Sequence, residues 1–144
     1  MNKKILFLLF GIVTLGCQNN PKEQLKHLTG YWEIEKVEVS KDSVINYKIN
    51  SVVDYMEFEG KKGFRKKMKP QFDGTYITNK DKEEISAKIE NDSLRLYYKT
   101  PFDSWKETVI DADADEFSVI NRDGKIYYYK KFTPLLAKEN EEEN

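Results

Sequence analysis

Turn-forming residues recur along this chain about every ten positions, and that spacing restricts the fold more than any other feature. They fall at Lys41-Asp42, Asn50-Ser51, Glu59-Gly60, Asp73-Gly74, Asn79-Lys80-Asp81, Asn91-Asp92, Pro101 to Asp103, Asp113 to Asp115 and Asp123-Gly124. Between them run short segments rich in β-branched and aromatic residues. Met56/Phe58, Ile85/Ala87/Ile89 and Leu94/Leu96/Tyr98 alternate with polar neighbours, as strands with one buried face do. Trp32/Ile34 followed by Val37/Val39 switches parity, which predicts a β-bulge near Glu35-Lys36. After Tyr31 no segment sustains a 3.6-residue period, which argues against a parallel β-α-β fold. The class is therefore all-β, an antiparallel meander forming a barrel or a sandwich. So many short strands leave exposed edges unless the sheet closes on itself. Eight Phe, nine Tyr and two Trp are enough to fill or line a narrow barrel, so closure is the expected architecture.

The N-terminus has a different grammar. Lys3 and Lys4 precede an apolar run from Ile5 to Leu15, then Gly16 and the only cysteine, Cys17. The run suits a signal-peptide core and falls short of the ~20 residues that span a bilayer. Thr14-Leu15-Gly16-Cys17 resembles the bacterial lipobox. The resemblance implies cleavage before Cys17 and acylation of its thiol, for example with palmitate, giving a lipoprotein anchored in the cell envelope. Stable anchoring takes about two acyl chains. Gln18 follows Cys17 where an aspartate would, by the same resemblance, retain the protein at the inner membrane, so the outer membrane is expected. A cleaved secretory signal that leaves Cys17 free is the alternative. The expected division is 1–16 signal peptide, 17–24 tether, 25–134 barrel domain and 135–144 disordered acidic tail. Pro21 to Leu28 also suits a brief helical turn, with Pro at a first helical position and Leu25 and Leu28 three apart.

The charges almost cancel, 24 basic side chains against 25 acidic ones. No global field selects a polyanion, and nucleic acid is not an expected partner. An acylated Cys17 leaves no thiol, and His27 is the only histidine, so a zinc site built on His and Cys is excluded by count. No Gly-x-Ser-x-Gly elbow is present, so a serine hydrolase has no signature here. Asp111-Ala112-Asp113-Ala114-Asp115 resembles a calcium loop in part, but Glu116 and Arg122 stand where such a loop needs glycine and a bidentate glutamate. It reads as an acidic turn. The expectation is a non-enzyme without catalytic residues, metal or cofactor.

Leu28-Thr29-Gly30-Tyr31-Trp32 resembles the opening of lipocalin-like domains, a helical turn followed by Gly-x-Trp entering the first strand. Tyr31 to Ile34, Gly63 to Lys67 and Trp105-Lys106-Glu107 are similar to segments of small bacterial lipoproteins of that group. The resemblance implies a calycin-type antiparallel barrel of about eight to ten strands with a ligand-binding calyx. It also implies that Trp32 closes one end under a cation, for which Lys130 and Lys131 are candidates.

Three clusters bear on what such a barrel would hold. In the basic run from Lys61 to Lys69, strand alternation puts Arg65 and Lys67 on one face, and Phe64, Lys66 and Met68 on the other. The first face is either solvated or an anion grip, since arginine binds carboxylate or phosphate with two parallel hydrogen bonds. Trp105 and Glu107 also share a face. If it points inward, Glu107 needs a cation, and Arg65, Lys67 and Lys99 are candidates. Tyr97-Tyr98 and Tyr127 to Tyr129 place tyrosines on both faces of two strands, as core or as ligand lining. The expected ligand contacts are Trp32, Arg65, Lys67, Tyr97, Trp105 and Glu107, around a small amphipathic or anionic molecule. The alternative is a filled barrel that docks on another envelope protein.

Overall fold

The computed structural model describes residues 20–134. The signal segment, Cys17 and the acidic tail lie outside the described residues. One helix, α1 (Pro21–His27), precedes ten strands: β1 (Gly30–Ser40), β2 (Ser43–Asn46), β3 (Val53–Glu59), β4 (Lys62–Pro70), β5 (Tyr76–Ile77), β6 (Glu83–Glu90), β7 (Ser93–Lys99), β8 (Ser104–Ala112), β9 (Glu116–Asn121) and β10 (Ile126–Lys131). The expected tether thus gives way to helix at Pro21, and Gln24, assigned to that tether, is buried. Asn20 caps the helix, its side-chain oxygen accepting from the Lys22 amide at 3.0 Å.

All strand pairings are antiparallel, and β1 pairs β10 from Trp32↔Lys131 to Glu38↔Ile126. That pairing closes an eight-stranded barrel of β1, β3, β4 and β6 to β10. Closure removes the unpaired edges that a ten-strand meander would otherwise expose. β2 and β5 are short additions, to β1 and β4 respectively. The β1–β10 register shifts between Ile34 and Lys36, where the sequence changes parity. The bulge turns Trp32, Ile34 and Val37 to the same interior, which strict alternation could not do.

Alternation decides the rest of the interior. Leu94, Leu96 and Tyr98 on β7 are buried, as are Ile85 and Ala87 on β6, Val109 on β8, and Phe117 and Val119 on β9. β1, β4, β7 and β9 point one way and β3, β6, β8 and β10 the other, so the turns segregate into two ends. One end carries α1, the turns after Glu59, Glu90 and Ala112, and the finish of β10. The other carries the long connections 41–52 and 71–82 and the turns at 100–103 and 122–125.

Candidate functional site

The end bearing α1 is sealed. Trp32 and Leu28 are both fully buried, and the Trp32 Nε1–H donates to the Leu28 carbonyl at 2.9 Å. Phe117 meets the indole edge-on, at 4.8 Å between ring centroids. Lys131 places its ammonium 4.5 Å from the centre of the indole ring, so of the two candidate cations Lys131 covers Trp32. Lys130 instead faces Glu33, at 3.6 Å. Gly30 leaves room for this lid. Its φ is +141°, and a Cβ there would stand 2.5 Å from Lys131 Nζ.

Towards the other end the interior turns polar and charged. Arg65 points inward from β4, 9 % exposed. It donates through Nε to Glu83 and lies 4.6 Å from the ring centre of Tyr98. Its Nη1 is 4.0 Å from Glu107 Oε2, an ion pair too long to be a hydrogen bond. Asp54, on the same wall, is buried and paired with Lys67. Trp105 stacks on Tyr98 with ring centroids 5.1 Å apart. The charged residues occupy successive cross-strand positions, because Arg65 is registered with Glu83 and Asp54 with Lys67.

Burial sets the protonation of this cluster. It pushes the Glu107 carboxyl above its ordinary value, against the pull of Arg65 and of the Tyr98 hydroxyl. The hydroxyls of Tyr98 and Tyr129 are raised by burial as well. For Arg65, burial acts downward, but Tyr98, Tyr129, Glu83 and Asp54 together raise it well above the ordinary arginine value. Arg65 therefore stays charged and already engaged.

The expected contact residues separate into groups. Trp32 belongs to the sealed end; in the open half Arg65 pairs with Glu107 and shares Tyr98 with Trp105, while Lys67 pairs with Asp54 at a second opening. Tyr97 does not join them. It lies between inward-facing Leu96 and Tyr98, so it points outward; its hydroxyl donates to Glu90 at 2.7 Å and Lys88 covers its ring at 4.9 Å. Tyr98 takes the interior position instead. Sequence reasoning also missed Glu83 and Asp54. Both were within reach of it, because Glu83 shares parity with Ile85 and Ala87, and Asp54 with Met56 and Phe58.

A concavity of about 1110 Å³ opens over this half. It lies mostly along the outer wall, over Ser86, Lys88, Tyr97, Lys106 and Thr108, and reaches inward-facing Tyr98, Trp105, Glu107 and Tyr127 at its edge. A second opening, about 740 Å³, lies between the 71–82 connection and the 100–103 turn and reaches Arg65 and Lys67. The arrangement provides aromatic walls, a carboxylate and a cation around a recess.

The sequence profile of the lipocalin-like domain family matches residues 28–119. No curated protein matches the chain. Among solved structures, a lipocalin-like protein from Bacteroides uniformis is 12% identical, covering 74% of this chain and 99% of its own, with a TM-score of 0.47. An uncharacterized protein from Bacteroides eggerthii is 11% identical, covering 73% of this chain and 99% of its own, also at 0.47. Lobster apocrustacyanin A1 is 13% identical, covering 88% of this chain and 74% of its own, again at 0.47.

Proposed function

This chain belongs to the lipocalin-like domain family, and on that footing we propose that it is a non-catalytic, lipid-anchored protein of the cell envelope that holds a small amphipathic ligand in the open half of its barrel. Members of the family are generally binding proteins rather than enzymes. The observation that carries the reading is the division of the interior. One half is sealed by Trp32, Leu28 and Lys131, while the other carries the Tyr98 and Trp105 rings and the Arg65, Glu83 and Glu107 charges towards two openings at its mouth. A ligand with an apolar body and a polar head fits that gradient.

The lipobox resemblance supports the anchor. Only Gln18, Asn19 and Asn20 separate Cys17 from α1, which packs on β6, β7 and β8 at the sealed end. An acylated Cys17 therefore holds that end against the membrane and turns the mouth away from it, at the outer membrane by the argument from Gln18. A second reading, docking on another envelope protein, draws on the mouth-side loops. There Phe102, Ile49 and Phe72 are 97%, 92% and 86% exposed.

Native mass spectrometry of the full chain purified from its own host separates the two. A small molecule that is retained in the folded protein and released on denaturation supports the calyx. A ligand-free chain that carries a stoichiometric protein partner supports docking.

A further inference from the structure

We infer that the head group held in this barrel is a hydrogen-bond donor taken by Glu107, an amine ahead of an alcohol, and not an anion taken by Arg65. The inference rests on the calyx reading and narrows it to a chemical class.

Glu107 reaches the edge of the larger concavity and is 8 % exposed; its Oε2 accepts no well-formed hydrogen bond among the described residues, and the neighbouring Tyr98 hydroxyl answers the carboxylate only in part. Arg65 at 4.0 Å supplies charge without a hydrogen bond. A buried acceptor left in that state is costly, and more so when it is charged, so the site is built to receive a donor. Arg65, by contrast, already donates to Glu83 and lies over Tyr98. An incoming anion would have to break that pair.

The charge count points the same way. Asp54, Glu83 and Glu107 face the interior of this half against Arg65 and Lys67, and Lys67 is held by Asp54. An anionic head would be a fourth negative group in a poorly hydrated space, whereas an ammonium balances the third. The face of Trp105 turned away from Tyr98 also suits a cation.

The test compares hexylamine, hexan-1-ol and hexanoate, which share a chain and differ in the head. Each displaces the fluorescent amphipath N-phenyl-1-naphthylamine from the full-length protein. Hexylamine should displace the probe about tenfold better than hexanoate, the size of one hydrogen bond to a charged group, with hexanol between them. Glu107→Gln should bring amine and carboxylate to near parity. Glu83→Gln, which frees Arg65, should move the preference towards hexanoate even if the first variant does not fold. Hexanoate binding as well as or better than hexylamine to the unaltered chain overturns the inference and leaves the calyx standing. Failure of the probe and of all three ligands to bind overturns the calyx itself.

Discussion

At the scale of single residues, Arg65 decides whether the open half of the barrel is stable. It is the cation nearest two carboxylates, so removing it leaves Glu83 and Glu107 facing each other across a buried space. Arg65→Ala should cost about 3–5 kcal/mol in urea unfolding, as loss of one partner of a buried pair does. A loss below about 1 kcal/mol, the size of an exposed pair, would show that the cluster is not coupled. Glu107 adds a pH dependence whose sign follows from its raised pKa. The folded state holds the proton more tightly than the unfolded chain, where the value is near 4.5. The stabilisation from Glu107 is therefore complete below about 4.5 and is lost as pH rises through the higher folded value. Unfolding of the unaltered chain and of Glu107→Gln across this range should show the difference in stability moving against the unaltered chain as pH rises. A difference that stays flat would place Glu107 in ordinary solvent.

At the scale of elements, β1 and α1 carry the sealed end together. α1 is only seven residues long, too short to persist by itself. It holds its place because Leu28 and Gln24 are buried against the barrel and Leu28 accepts the indole N–H. Leu28→Ala should cost about 2–5 kcal/mol, measured by thermal unfolding. A shift of less than about 1 kcal/mol would mean that the plug is not part of the core. The strand pattern of this region was legible in the sequence, including the bulge, because parity is a one-dimensional signal. The course of residues 41–52 was not. Tyr47 donates its amide to the Glu35 carbonyl at 2.8 Å, and Asn50 donates to the Ile34 carbonyl at 2.8 Å. These residues fill the gap where β3 no longer pairs β1, and no periodicity marks such a role. The site was legible in part for the same reason. Alternation placed Trp105 with Glu107 and Arg65 with Lys67, and it also set Tyr98 with Leu94 and Leu96 on the buried face, so the expected contact at Tyr97 went against the parity of its own strand. Which carboxylate meets Arg65 is a matter of register between distant strands, and so Glu83 was missed.

At the scale of the whole molecule, the seam between β1 and β10 turns a meander into a closed barrel. It joins the first strand to the last, so its contacts are the most distant in sequence and form at the greatest loop-closure cost. In the folded state the seam is continuous from Trp32 to Glu38 apart from the bulge. Native-state hydrogen exchange should therefore protect the paired amides of the seam about as well as those of the β6–β7 hairpin. Exchange along the seam orders of magnitude faster than in that hairpin would describe an open sheet. The central claim is that the closed barrel keeps one half for a ligand. Its most direct test is a titration of the full-length chain in lipid nanodiscs with N-phenyl-1-naphthylamine, read against empty nanodiscs. We predict saturable one-to-one binding above the lipid background, weakened by Trp105→Ala. A signal that matches empty nanodiscs at every concentration would contradict the account.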